Sequence, residues 1–593
     1  MSIRAFTISM RCLVLLLIVG CGDDLHARPD AGSIPDPTAD SGAPLPDAPP
    51  TEMATPLERL NWRNARGAPI ATSTIAIPAA EMFAVSGDGF VTRSGCQPPQ
   101  ICSLTWRDLA GTPGIQRDHM TRVTVTSVSP DGKSALLVAL DAPGTLEPCF
   151  TAQSAFLVAR GALQLLDLAT GAASSELPLR SNLWSAPGFT PFSDWFFAAP
   201  IEGTACVAST TGVRSTTSPF APPPGLDAND QFVQIVDAHR WLVIRNGTNL
   251  GLSDPLTPGS FSFLGEDPSR FDVTQGWVHV YLGFGNLAQD VVSIPPAGPM
   301  RQTTLRDEDW FPFGSRGRWV RVCGFLQPDG ERPCRVVDAQ AEVAPVDYRA
   351  SFSSDHPNDD AVLLDSGAVV FVGPTEDGTL AVQRTVPATG HREILHHGNG
   401  TLRSLGDGAA ALLLQDEQAW LIEAHREELV ATRVSQVVSM PQLPPLGRVP
   451  GRQDDLAFLV SLLDDGRFTL AILDVRTRRL ATVTDHLYFT PPIGPPFAFD
   501  DGCGQPWTTR NSGSVVEGLF QQPQHLFFVE TGTPAKLWLL PIDLSAPPRR
   551  LADLAGDPVS CHAPLASPDG RRLGFAENGA DGTTTRITLS SQD

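Results

Sequence analysis

Three observations predict an all-β fold of radially arranged four-stranded blades, a β-propeller with about eleven repeat units. First, from residue 80 onward short apolar runs alternate with polar turns. The clearest copy pairs Leu456–Leu462 with Phe468–Asp474 across Asp464-Asp465-Gly466, and a D-G step between such runs is a hairpin signal. Second, the later strand of each hairpin falls near residues 105, 165, 207, 251, 292, 336, 382, 421, 472, 540 and 587. Most steps are 40 to 50 residues, the pitch of propeller blades. Third, helical spacing is rare, and only residues 56–63 are expected to form a turn or two of helix. Blades covered on both faces explain why apolar residues come in runs rather than in clean alternation. Single propellers have about four to eight blades, so the units form either two rings dividing near residue 310 or one decorated ring of seven or eight blades. A β-sandwich array is the competing arrangement. The last unit, ending at Arg586-Ile587-Thr588-Leu589, lacks a fourth strand, and residues around Thr72 to Ile77 are expected to supply it and remove an exposed edge.

At the amino terminus, Arg4 and Arg11 precede an apolar run far shorter than the ~20 residues needed to span a bilayer. The run closes in Ile18-Val19-Gly20-Cys21, which resembles the lipobox of bacterial lipoproteins. The resemblance implies a cleaved signal at 1–20 and acyl chains on Cys21, with membrane attachment through buried methylenes worth roughly 0.8 kcal/mol each. An ordinary secretory signal would share the run without using the cysteine. Residues 21–56 read as a tether: from position 22 they hold seven acidic residues, one Arg and many Pro and Ala. Such a segment cannot offset its ordering entropy by burial. It would average roughly 30 Å as flexible coil. Gly22 rather than Asp follows the cysteine, which points to the outer membrane. Residues 57–593 form the propeller region.

Ser129-Pro130-Asp131-Gly132-Lys133 and Ser567-Pro568-Asp569-Gly570-Arg571 each precede an apolar strand. They resemble the S-P-D-G repeat of TolB-like propellers, with Asp131, Gly132, Asp569 and Gly570 as the turn. Leu165–Gly171 and Leu473–Thr477 look like the partner signature at the end of a blade's third strand. The match covers about four of the units, and the amino-terminal α/β domain of TolB has no counterpart. The resemblance implies a WD40-like repeat fold and leaves function open.

The formal charge is −22, and loss of Arg4 and Arg11 with the signal takes it to −24; only two lysines, Lys133 and Lys536, occur. Nucleic acid is excluded as a partner, because its binding needs clustered cations that release counterions. Of ten cysteines, Cys12 leaves with the signal and Cys21 is acylated, so eight remain. An even count in an exported chain suggests disulfides. Spacing favours Cys96 with Cys102 and Cys323 with Cys334; for the other four, Cys149 with Cys206 and Cys503 with Cys561 are the pairs expected, without a spacing argument. No C-x-x-C pair offers a zinc site.

G-x-S-x-G, H-E-x-x-H and the P-loop are absent, so no catalytic residue is named. No cofactor is expected. Asp355, Asp359 and Asp360 lie in the densest oxygen-rich stretch, one that could wrap calcium. His391, His396 and His397 read as exposed loop histidines, and Trp310, Trp319, Trp420 and Trp538 as packing between blades. The chain is expected to be a lipid-anchored envelope module, held to the membrane by its N-terminal lipid, that binds a protein or glycan. An enzyme with a dispersed funnel site and a purely structural surface protein are the rivals.

Overall fold

The structure is a computed structural model. It describes residues 56–590 except 98–100, 122–128, 130–132, 141–145, 151–154, 168–169, 171, 183–187, 190–194, 198–200, 203–206, 209–212, 217–222, 228–229, 247, 267–269, 284–287, 306–309, 352–360, 439–454, 488–518, 523–524, 555–564, 568–570 and 579–582. No α-helix occurs among the described residues, and the chain is a β-propeller. Sheets 231–266, 270–304, 311–351, 361–397, 401–432 and 519–554 are each four-stranded antiparallel meanders in sequence order. Sheet 434–484 follows the same plan and carries a fifth strand. Residues 81–182 build one eight-stranded sheet, in which Pro113–Thr121 meets Ser134–Leu140 at Met120 and Ala139. All eleven positions marked in the sequence lie on strands.

From residue 231 onward each sheet packs on the next, and the last packs on sheet 81–182. Leu242 and Leu250 meet Val278 and Val280, and Tyr281 and Val291 meet Val320 and Val322 across position 310. Leu456 and Phe458 meet Leu526 and Phe528, and Met82 and Phe90 meet Ile587 and Leu589. Both faces of a strand such as Leu456–Leu462 are therefore buried, which is why its sequence runs Leu-Ala-Phe-Leu-Val without alternation. Trp310, Trp319 and Trp538 are buried in three of these inter-sheet cores, and Trp420 packs against a fourth.

Turn chemistry repeats. In both S-P-D-G copies the serine clamps the turn: Ser129 Oγ accepts from the Ser134 N–H at 2.9 Å and Ser567 Oγ from the Arg572 N–H at 2.8 Å. Asp131, Gly132, Asp569 and Gly570 themselves lie outside the described residues. At Leu463–Arg467 the Leu463 N–H donates to the Arg467 carbonyl at 2.8 Å, and Gly466 takes φ +83°, a left-handed backbone that favours glycine. At the end of third strands an aspartate caps the next turn. Buried Asp474 accepts from the N–H groups of Arg476 and Thr477 at 3.0 and 3.2 Å, and Asp338 plays the same part at Gln340. Asp474→Ala strands those donors and is expected to lower unfolding free energy by about 3 kcal/mol. Asp474→Asn should recover part of the loss, read as denaturant midpoints.

The segment 57–78 departs from expectation at its start. Residues 56–63 are not helical: Glu58–Asn61 is a strand that pairs in parallel with Arg479–Thr484. A free sheet edge outweighs the weak local preference of a short stretch. The chain then crosses sheet 519–554, where the Ile70 N–H donates to the Arg550 carbonyl at 2.9 Å. It ends as Thr72–Pro78, which pairs antiparallel with Thr584–Ser590 and completes the last four-stranded sheet. Arg59 extends the strap backward by donating to the Leu429 and Val430 carbonyls of sheet 401–432.

Candidate functional site

First strands converge. Arg316, on the first strand of sheet 311–351, reaches Ser404 Oγ at 3.5 Å on the first strand of sheet 401–432, although sheet 361–397 lies between them in sequence order. The Asp365 N–H donates to the Gly408 carbonyl at 2.8 Å nearby. A Cβ on Gly408 would sit 2.7 Å from Asp365 Oδ1 and 2.8 Å from Arg316 Cδ, and its φ is +98°. Glycine is required there on both counts. Fourth strands, by contrast, carry the strap at Arg479–Thr484 and Arg549–Leu554, and the strap itself is the fourth strand of the last sheet, so fourth strands form the outer edge.

Polar groups near that convergence are tied to one another within and between sheets. Tyr281 Oη donates to Asp272 Oδ2 at 3.0 Å, Ser315 Oγ to the same oxygen at 3.4 Å, and Arg270 lies 3.3 Å from Oδ1. Burial first, then the Asp272 charge, push the Tyr281 phenol well above its usual range, so it stays a neutral donor. Arg270 also donates to the Pro312 carbonyl at 2.7 Å. This cluster joins two sheets and leaves Asp272 an acceptor with its partners in place.

One arrangement resembles a nucleophile and its base: Ser293 Oγ lies 2.8 Å from His279 Nδ1. The third partner is the Gly317 carbonyl, 2.8 Å from Nε2, and both Ser293 and His279 are wholly buried. Burial lowers the His279 pKa to about 4. A sealed pair whose second ring nitrogen is bonded to a carbonyl cannot meet a substrate, and it stitches sheet 270–304 to sheet 311–351. The other perturbed carboxylates, Asp108, Asp237, Asp377 and Asp465, sit on turns of different sheets. Hydrogen bonds from Thr375 and Thr379 hold Asp377 at about 2.

The predicted site residues fare unevenly. Cys323 and Cys334 are bonded, on directly paired positions of neighbouring strands with Cα atoms 4.0 Å apart. Cys96, Cys102 and Cys149 lie on strands whose side chains there are outside the described residues, as are Cys21, Cys206, Cys503 and Cys561 altogether. Asp355, Asp359 and Asp360 are also outside. Among the described residues no group of three His, Cys, Asp or Glu is placed to hold a metal. The histidines prove to be on a strand, His391–His397, instead of a loop. His391 and His396 are five residues apart in extended chain, roughly 16 Å. His396 faces Glu427 at 3.4 Å and packs on Trp420.

A recess of about 210 Å³ lies at the outer edge between the strap and the last two sheets, lined by Thr72, Thr74, Arg550, Asp553 and Arg586. Arg550 faces Asp553 at 3.5 Å and Arg586 faces Glu577 at 4.0 Å, so carboxylates already balance its arginines.

No family model and no curated protein matches the chain. Among solved structures it is similar to a eukaryotic initiation factor, with 11% identity, 80% of this chain and 95% of that one covered, and a TM-score of 0.31. An oligogalacturonate lyase in complex with manganese shares 12% identity over 88% of this chain and 98% of its own, with a TM-score of 0.25. TolB from Acinetobacter baumannii shares 10% identity over 68% and 80%, with a TM-score of 0.21. One of these likenesses is an enzyme, the lyase, and none carries an activity to this chain.

Proposed function

We propose that the chain is a TolB-like, lipid-anchored envelope propeller, tethered through Cys21 to the outer membrane, that binds a protein or glycan partner. One observation carries the reading: among the described residues where first strands converge, polar groups such as Asp272 are spent on hydrogen bonds within and between sheets, leaving the turns as the exposed chemistry. Binding through turns needs rigid presentation and no perturbed acid-base pair. The test is a crosslinking pull-down from intact cells with tagged wild type beside Cys21→Ser. The variant is expected to leave carbonate-washed membranes while folding normally, and the wild type to capture a reproducible envelope partner. Retention of the variant in the pellet would refute the anchor. Recovery of nothing specific would favour an enzyme with transient substrates or a structural role.

A further inference from the structure

In every antiparallel meander the turns joining second to third strands fall on the same rim as the links to the next sheet. On four consecutive sheets, from 311 to 484, those turns are 324–330, 375–379, 416–417 and 463–467. Four of the large apolar side chains exposed among the described residues stand at this rim. They are Phe325 at 55%, Leu326 at 43%, Leu380 at 42% and Leu462 at 47% exposure. The remaining turn, between Leu414 and Ala419, carries Asp416 and Glu417 at its tip.

The apolar tip is held outward. The Cys323–Cys334 bond closes the base of its loop, the Gln327 N–H donates to the Glu331 carbonyl at 2.7 Å, and Phe311 meets Phe325 edge-on at 4.9 Å. A loop fixed in this way loses little further entropy when a partner covers it.

Charge selects the partner. Asp329, Glu376, Asp377, Asp416 and Glu417 are exposed, and no cation pairs with them among the described residues. The arginines nearby are engaged: Arg349 with Glu331, Arg433 with Asp464, Arg467 with Asp465, and Arg392 with Gln383 and the Pro374 carbonyl. A neutral glycan would leave this field unanswered. The acidic tether and a second copy at net −22 would both be repelled. Asp416 and Glu417 moreover hold φ of +49° and +60° in a two-residue turn where Asn-Gly fits without strain.

Resting on the binding reading above, we infer that this rim docks a cationic protein segment bearing aromatic or aliphatic side chains. Its apolar groups would cover Phe325, Leu326, Leu380 and Leu462, and its Lys or Arg would answer the unpaired carboxylates.

The probe is a labelled 16-residue peptide alternating Arg and Lys with Leu and Trp, beside its Glu-substituted counterpart, titrated by anisotropy onto the detergent-solubilised full chain. The cationic peptide alone should bind, more weakly as salt rises. Phe325→Ser with Leu326→Ser should weaken it about tenfold, and Glu376→Gln with Asp377→Asn about fivefold. Asp416→Asn with Glu417→Gly should raise the melting temperature while weakening binding. Equal binding of the two peptides, or unchanged affinity in all three variants, overturns the rim. A cellular partner captured equally by wild type and the Phe325/Leu326 variant overturns the rim and leaves the binding reading standing. If wild type captures no cellular partner, the binding reading fails and the peptide titration still decides the rim.

Discussion

A chain lacking residues 57–78 is expected to lose its single cooperative unfolding transition, and Trp62→Ala alone to cost about 4 kcal/mol. Trp62 is buried in the core shared by Leu456, Phe458, Leu526, Phe528 and Trp538, so truncation opens a cavity between two sheets. Four residues on, Arg66 lies over the Trp538 ring at 4.6 Å, bonds Glu530 Oε1 at 2.7 Å, and reaches the carbonyls of Trp62 and Val483. Glu530 is nearly buried and also accepts from Thr484 Oγ1 at 2.6 Å. Arg66→Ala therefore leaves a carboxylate without its cation and should cost about 3 kcal/mol. Full removal is worse, because Thr72–Pro78 covers the whole edge of Thr584–Ser590 and Ile77 belongs to the core that joins the last sheet to Phe90. Glu58→Ala is the control, since its pair with Arg479 is mostly exposed and worth less than about 1 kcal/mol. A truncated chain melting cooperatively at the wild-type midpoint would refute the strap's role.

Much of this architecture was legible because it rests on local signals. The D-G turn at Gly466, the serines of both S-P-D-G copies and the aspartate ending Phe468–Asp474 each act within five residues of themselves. Closure by residues 72–77 was readable as well, since a strand pattern without a sheet near the start matched a sheet without a strand at the end. What escaped depends on distant chain. Residues 56–63 have no local reason to be extended, and their partner Arg479 lies more than 400 residues away. Likewise nothing near His279 announces the Gly317 carbonyl, 38 residues on and in another sheet. The acidic pairs Glu376-Asp377 and Asp416-Glu417 are plain in the sequence as turn residues. That they share one rim with Phe325 and Leu462 follows only from strand direction in each meander.

Stability should fall on mild acidification before most carboxylates titrate, and His279 is the reason. The unfolded side chain protonates near 6.5, whereas in the folded protein its pKa is lowered to about 4, chiefly by burial. Above pH 6.5 the ring is neutral in both states and its contribution does not change. Between 6.5 and 4 the unfolded chain binds a proton that the folded chain refuses, so unfolding free energy rises with pH across this window. The limiting loss is about 3 kcal/mol. Asp272 opposes the shift by favouring the charged ring, and the Gly317 carbonyl does the same, yet desolvation outweighs both. His525, also lowered by burial, acts in the same direction. His279→Gln keeps a donor for the Gly317 carbonyl and an acceptor for Ser293 while removing the titration. It should cost little at pH 7.5 and flatten the curve between pH 6.5 and 4.5, measured as urea midpoints at half-unit steps. Parallel curves for wild type and His279→Gln would place the acid sensitivity elsewhere. A flattened variant curve would tie it to His279, the buried imidazole that joins the sheets on either side of position 310.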